Sequence, residues 1–370
     1  MMAEPLAPGS VIGILGGGQL GKMLAQAAAK LGFRAHVFAP DVDAPATRVA
    51  AHYVKANYTD AAALKAFAEG VDVLTYEFES IPSDSLAAAE HIVRLRPNRQ
   101  TLASTQDRLA ERELLAQVGA PSAPWAQVDD AASLEAAYHA LSAQSGVLGL
   151  FLKARREGYD GKGQIRIAAQ AEIAGAAEWL GGREAIVECG IGFDFEFSLI
   201  GVRGLDGSCA FYDPPRNHHR EGILSLSQVP GGLSHDEIER AQSIARAIME
   251  KLDVAGVMAI EFFAVRGAPE PILVNEIAPR VHNSGHWTVE ACMVSQFENH
   301  IRAIAGWPLG STARHADAEM VNIIGPEIHD WHAMLADNPA RSLHVYGKAE
   351  AAPGRKMGHY VDLKPRSDQR

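Results

Sequence analysis

The chain has 370 residues, 47% hydrophobic and 21% charged, with a formal net charge of −11. That is the composition of an ordinary globular protein of two or three domains, and with no long basic block to offset the acidity it excludes nucleic acid as a general partner. No apolar run approaches the ~18 residues of a membrane span, MMAEPLAPGS lacks the basic and apolar regions of a signal peptide, and Cys189, Cys209 and Cys292 have neither metal-ligand nor disulfide-framework spacing; the expectation is a soluble cytoplasmic protein.

A short apolar strand at Val11 to Leu15 leads through a glycine-rich turn into a helix from about Gln19 to Leu31. Strands at Ala35 to Ala39 and His52 to Val54, a helix near Ala61 to Glu69 and a strand at Val71 to Tyr76 follow. Alternating strands and helices predict a parallel sheet covered by helices. Pro97 and Asn98 close this unit. Thr105 then reads as the N-cap of a helix running through Leu115, ended by Gly119 and Pro121. From Leu150 the pattern changes to strands joined by Gly-rich turns: Val147 to Lys153, Gln164 to Ile167, Ala185 to Glu188 and Phe193 to Gly201. A helix over Asp236 to Leu252 comes next. Beyond Pro308, Met320 to Ile324 and Leu343 to Tyr346 are candidate strands among loops.

Between these regions lies GVMAIEFFAVRGAPEPILVNEIAPRVHNSGHWT. Two runs rich in β-branched and aromatic residues, Val257 to Val265 and Ile272 to Ile277, flank a turn from Arg266 to Pro271. With the turn centred between Ala268 and Pro269, Val265 faces Ile272, Phe263 faces Val274, and Glu261 faces Glu276 on one side of the sheet. Directly opposed side chains stand roughly 4.5–5.5 Å apart at Cβ. At an effective dielectric near 20 the repulsion is on the order of 3 kcal/mol. A divalent cation between the two turns that cost into a binding site, and hard oxygen ligands suit Mg²⁺. A one-residue slip would instead send one Glu into water. Arg280, His282, Asn283, Ser284 and His286 follow closely, an unusual density of polar groups for a structural strand exit.

Two glycine-rich turns are the other chemistry-bearing features. Gly16, Gly18 and Gly21 match G-x-G-x-x-G between a strand and a helix. The second strand ends Val37-Phe38-Ala39-Pro40, and the acid expected there for a dinucleotide ribose arrives late, as Asp41. The turn can aim backbone N–H groups at a phosphate-bearing ligand, or simply be a close strand–helix turn. Gly158, Tyr159, Asp160, Gly161, Lys162, Gly163 and Gln164, preceded by Lys153 and Arg155, read either as a loop closing over a polyphosphate or as a hairpin with an Asp-Gly turn. No Lys-Ser/Thr pair opens a helix after it, so it is not a P-loop.

The motifs GILGGGQLGKML, TYEFE, GYDGKGQ, VNEIAPRVHNSGHWT and PGRKMGH occur in order from Val11 to about Asp362. Together they resemble the N5-carboxyaminoimidazole ribonucleotide synthase (PurK) family of the ATP-grasp superfamily. The resemblance implies an N-terminal parallel α/β substrate-binding domain (residues 1–104), an ATP-grasp region (105–310) with a mobile lid subdomain at about 124–186, and a small β-rich C-terminal domain (311–370). It implies ATP- and bicarbonate-dependent carboxylation of 5-aminoimidazole ribonucleotide through carboxyphosphate, in a homodimer. ATP would be met by Arg108, Lys153, the Gly158 to Gln164 loop, a hinge of Glu188, Cys189, Gly190 and Ile191, by Glu196, His219, Asn275 and Glu276. Glu261 and Glu276 would hold Mg²⁺. Arg280, His282 and Asn283 would be catalytic. The substrate would be met by Gln19, Leu20, Glu77 (preferred to Glu79 at the same strand end), Tyr159, Asp160 and Ser284, with Lys348, Arg355 and Lys356 as the cationic cluster for its 5′-phosphate.

Three departures stand out. Glu157 replaces the first Gly of the lid's usual Gly-Gly-Tyr-Asp, and Ala278 stands where many ATP-grasp enzymes place a metal-binding Asn. The chain also ends soon after VDLKPRSDQR, where relatives often continue with another helix. Competing readings are a formate- or amine-activating ATP-grasp ligase, an NAD-dependent oxidoreductase built on GGGQLG, and a nucleotide-binding protein without catalysis.

Overall fold

The computed structural model describes residues 4–156, 158 and 163–367. Its first layer is the expected parallel sheet, in the order His52–Lys55, Arg34–Ala39, Val11–Leu15, Val73–Tyr76. The central strand Val11–Leu15 is buried along its whole length, as a parallel strand covered on both faces must be. Helix Gln19–Lys30 leaves directly from the glycine turn, where Gly16 has φ +125°.

The second body is a nine-stranded antiparallel sheet that contains Phe195–Arg203, Gly256–Ala264 and, at one edge, Ile272–Ala278. The C-terminal strands Asp317–Ile324, Lys356–Lys364 and Ser342–Val345 extend this sheet at its other end rather than forming one of their own. A third, four-stranded antiparallel sheet runs Trp125–Val128, Ala185–Cys189, Leu150–Ala154, Gln164–Ile167. No helix among the described residues is long and apolar enough to cross a membrane. The expected fold class therefore stands: parallel α/β first, then sheets with antiparallel pairing, ending β-rich.

Several elements differ from their expected form. Strands Cys209–Phe211, Arg216–Arg220 and Ile223–Val229, and helix Ala131–Ser145, lie where no element is expected from the sequence. Thr105 caps nothing: it sits inside helix Arg99–Gln106, and its hydroxyl donates back to the Thr101 and Leu102 carbonyls. The cap is Asp107. It opens a separate helix, Arg108–Gln117, by accepting from the Leu109 N–H at 3.0 Å. The same carboxylate takes a fork from Arg155, 2.9 Å from Nε and 2.7 Å from Nη2, which ties the helix to the root of the Gly-rich loop.

Asp107→Ala should therefore cost on the order of 2 kcal/mol in chemical denaturation, from a lost cap and an unpaired guanidinium. Thr105→Ala should stay within about 0.5 kcal/mol of wild type. The reverse ranking would return the cap to Thr105.

Candidate active site

Glu261 and Glu276 are directly paired across adjacent strands, but by a different route from the regular hairpin expected. The outer pairs are Ala264 with Ile272, Phe263 with Leu273 and Phe262 with Val274; the register then shifts, and Glu261 pairs with Glu276. Val265 therefore does not face Ile272, nor Phe263 face Val274. Asn275 is the extra residue of a β-bulge, and without it the two acids would not be opposed. The Glu261 side chain is 17% exposed and that of Glu276 46%. Burial first, and Glu276 second, push the Glu261 carboxyl up to about 8. Among the described residues, no group of three or more His, Cys, Asp or Glu is placed to hold a metal ion. A cation here would be shared by two carboxylates and a ligand's own oxygens, and the opposed pair is a donor set that fits a hard divalent ion.

The surrounding groups are cations and imidazoles, with two further acids, Glu196 and Glu79, each paired to one of them. Arg108 Nη1 lies 3.9 Å from Glu276 Oε2, and its Nη2 donates to the Gly158 carbonyl at 3.4 Å, so it spans from strand Ile272–Ala278 to the Gly-rich loop. His219 pairs closely with Glu196. Burial opposes the charge on His219, yet the bond to Glu196 raises its pKa above the ordinary value. His282 Nε2 stands 3.4 Å from Glu261 Oε1. Burial, then Arg280 and Lys356, holds His282 well below the usual imidazole range, so its ring is neutral. Its Nδ1 is 2.8 Å from Ser284 Oγ, itself 2.6 Å from Ser198 Oγ. Arg280 Nε reaches Glu79 Oε1 at 2.9 Å.

Strand Ala185–Cys189 carries a buried ion network. Glu188, 3% exposed, accepts from Arg112 Nε at 2.5 Å and pairs with Lys153 Nζ at 2.6 Å. The Cys189 and Gly190 N–H groups donate to Pro124 and Gly149 carbonyls, both at 2.9 Å, and Ile191 follows at the strand exit. Burial alone would raise the Glu188 carboxyl, but Arg112 and Lys153 bring it down to about 2.

The remaining expected site residues divide. Gln19 opens helix Gln19–Lys30 and Leu20 is buried beneath it. Glu77 turns inward: its Oε1 accepts from the Gly18 N–H at 2.8 Å, so the chain's own carboxylate occupies the anion cradle of the first glycine turn. A Cβ on Gly16 would meet Glu77 Cγ at 2.6 Å, and one on Gly21 the Gly16 carbonyl at 2.4 Å. These glycines serve close packing, and the place a pyrophosphate would take in a dinucleotide fold is filled. Both ends of the Asn283 amide are engaged by Asn322, at 3.0 and 2.8 Å. Lys356 acts electrostatically on Glu261, His219 and His282, and Lys348 on Glu77, whereas Arg355 lies in an exposed turn and donates to the Glu350 carbonyl at 3.4 Å. Gly163 and Gln164 lead into strand Gln164–Ile167. Glu157, Tyr159, Asp160, Gly161 and Lys162 lie outside the described residues.

Sequence reasoning missed Arg48 and the pair Glu111 and Arg112, and of the two acids in TYEFE it preferred Glu77 to Glu79, the one that meets Arg280. Arg48 approaches the Lys348 loop so closely that a Cβ on Gly347 would meet its Nη1 at 2.6 Å. The place just past a strand's C-terminal end, where α/β sheets bind ligands, marks both acids and does not choose between them. Nothing in the sequence around Arg48 marks it out.

The Glu188 network makes a signed prediction. A carboxyl whose folded pKa is depressed stabilises above its unfolded value and loses that contribution as pH falls towards about 2. The buried pairing contributes on the order of 3 kcal/mol at neutral pH. Glu188→Gln should flatten the loss of thermal midpoint that wild type shows between pH 4.5 and 2.5 (about two pH units,) by the share of this one carboxyl, leaving the share of Asp107 and Glu319, which are also held below the ordinary value. An unchanged acid limb in the variant would contradict the network.

Three domain models cover most of the chain: a ribonucleotide synthetase preATP-grasp domain at residues 10–106, an ATP-grasp domain at 113–297, and a phosphoribosylaminoimidazole carboxylase C-terminal domain at 318–369. The N5-carboxyaminoimidazole ribonucleotide synthase of Brucella melitensis is 43% identical over 364 residues, 98% of each chain. A crystal structure of the ADP complex of an N5-carboxyaminoimidazole ribonucleotide synthetase superposes with TM-score 0.93 at 36% identity, covering 100% of this chain and 96% of that one. The Aspergillus clavatus N5-carboxyaminoimidazole synthase, solved with ADP and 5-aminoimidazole ribonucleotide, gives TM-score 0.87 at 30% identity, over 98% and 96%.

Proposed function

This chain belongs to the N5-carboxyaminoimidazole ribonucleotide synthase family of ATP-grasp ligases, and from that premise we propose how its own residues divide the work. The reaction is the ATP-dependent carboxylation of 5-aminoimidazole ribonucleotide in purine biosynthesis. Bicarbonate is the carbon source in this reading. One of its oxygens attacks the γ-phosphorus, the bond to ADP breaks, and carboxyphosphate results. The substrate amine then attacks the carboxyl carbon, phosphate leaves and the amine loses a proton.

ATP lies between the hinge Glu188–Ile191 and the pair Glu261 and Glu276, with Glu196 and His219 at the ribose and Arg108, Lys153 and Asn275 towards the phosphates. Mg²⁺, held by Glu261 and Glu276, supplies charge neutralisation for the transferring phosphoryl group. Arg280 meets the bicarbonate anion, while His282 holds a hydrogen bond beside Glu261 and Ser284 supports that ring. Lys356 and Lys348, with Arg355 at the rim, meet the anionic ribonucleotide. The observation that carries this reading is the bulged pairing of Glu261 with Glu276, which puts two like charges together beside Arg108 and His282.

The cell compartment and assembly belong to the same proposal. The three free cysteines, two of them buried, suit a reducing cytoplasm. A homodimer is the assembly proposed, and exposed apolar groups such as Met293 and Val289 are surfaces it could cover.

A coupled ADP-release assay tests the assignment. Turnover should need both 5-aminoimidazole ribonucleotide and bicarbonate, stop on chelation of divalent ions, and fall by about 100-fold or more in Glu276→Gln. Release that depends on formate instead would make the protein a different ATP-grasp ligase.

A further inference from the structure

Ile272–Ala278 is an edge strand, hydrogen-bonded as a ladder on one side only, to Gly256–Ala264. The outer N–H and C=O groups of such a strand need other partners. Around Glu276 they are taken by two adjacent side chains of helix Arg108–Gln117. Arg112 Nη2 donates to the Asn275 carbonyl at 2.7 Å, and the Ile277 N–H donates to Glu111 Oε2 at 2.9 Å. Asn275 and Ile277 are the immediate neighbours of Glu276, and Asn275 is the bulged residue. Arg112 Nη1 also donates to Glu111 Oε1 at 2.8 Å, joining the two grips into one unit. Further along, the Val274 N–H donates to the Pro121 carbonyl at 2.7 Å, which continues the cover of the edge. Glu111 is 2% exposed and Arg112 1%, so this is no solvated helix face. Two charges desolvated this fully are costly, and their bonds go to backbone beside the site.

Building on the reading of Glu261 and Glu276 as cation ligands, we propose that Glu111 and Arg112 are positioning residues for the metal carboxylate. By gripping the backbone on both sides of Glu276, they hold the bulge that turns it to face Glu261. Arg112 also bonds Glu188, so one guanidinium fixes the nucleotide hinge relative to the metal strand. The dyad acts through the backbone, as outer-shell partners of a metal site do through its ligands.

The test compares Glu111→Gln, Arg112→Lys and Glu276→Gln by Mn²⁺ binding to the ADP-bound protein, followed by electron paramagnetic resonance, and by Mg²⁺ titration of turnover. Glu111→Gln keeps its shape, but its amide oxygen must serve both Arg112 and the Ile277 N–H while its NH₂ meets donors. Arg112→Lys keeps the charge beside Glu188 but loses the planar fork. In the folded variants, Mn²⁺ affinity should fall about 10- to 100-fold and half-maximal Mg²⁺ rise in step. The KM for 5-aminoimidazole ribonucleotide should stay within about twofold, a split that general loosening would not give. Should Glu276→Gln bind Mn²⁺ like wild type, the metal reading fails and the clamp falls with it. Should Glu276→Gln lose Mn²⁺ while both clamp variants retain wild-type affinity, the clamp alone is overturned. Either clamp variant that folds is enough to decide.

Discussion

Two carboxylates facing each other on neighbouring strands are the constraint around which this molecule is arranged. Left alone, Glu261 and Glu276 repel, and burial makes the charged form of Glu261 costlier still. The fold responds in three ways. It brings Arg108 towards Glu276 and sets the Glu196–His219 pair and Lys356 near Glu261. It keeps the nearest imidazole, His282, neutral by burial. And it builds the acids into the ladder itself, so that neither can swing away without breaking strand pairing. With its carboxyl pushed up to about 8, Glu261 holds a proton near neutral pH when the site is empty, and an incoming cation takes that proton's place, so the pair binds a divalent ion more tightly as pH rises.

The helix Arg108–Gln117 joins the parts that must agree. Its first residue, Arg108, reaches strand Ile272–Ala278 and the root of the Gly-rich loop; Glu111 and Arg112 hold the strand edge; and Arg112 shares Glu188 with Lys153. Arg112 and Lys153 are set against Glu188 and against Glu111, whose carboxyl burial pushes up to about 7, and such mutual pairing is the condition under which a buried network is tolerable in a low-dielectric interior. Replacing it with apolar side chains would pack as well but would leave the Asn275 carbonyl and Ile277 N–H without these partners. Geometric specification is therefore the better account of why charges stand there.

The parallel sheet and the Glu pair were legible because each rests on a short-range pattern: apolar strands alternating with helices, and β-branched runs around a Gly-Pro turn. The bulge at Asn275 was not, since nothing in VNE marks an extra residue; Glu261 still met Glu276 because the turn was centred half a residue away from its true position. Thr105 and Asp107 are both competent caps, and only the tertiary fork from Arg155 separates them. Nothing in RLAERELL marks Glu111 and Arg112 as buried, because adjacent opposite charges on a helix ordinarily face solvent. The Gly16–Gly21 turn was legible as an anion cradle, but that the anion would be Glu77, far along the chain, depends on strand order. Local signals reach elements and types; what pairs across the fold they do not reach.

The hydrogen bonds behind His282 carry the same principle into the site's chemistry. Asn217 Nδ2 donates to Ser198 Oγ at 3.1 Å, while Ser227 Oγ donates to its Oδ1 at 2.8 Å. Ser198 then passes its proton towards Ser284 Oγ at 2.6 Å, and Ser284 towards His282 Nδ1 at 2.8 Å. The Ser284 N–H points to the same nitrogen at 3.4 Å, so Nδ1 is an acceptor on two counts. Neutral imidazole has one proton to place, and with Nδ1 accepting it sits on Nε2, facing Glu261. The ring thus presents a donor to the carboxylate beside which the nucleotide phosphates would bind. All four polar side chains behind it are buried, none more than 4% exposed, so water does not compete to reverse the order. A buried chain of small hydroxyls and one amide decides which way a histidine points its proton, much as a buried ion pair decides which way a strand points its carboxylate.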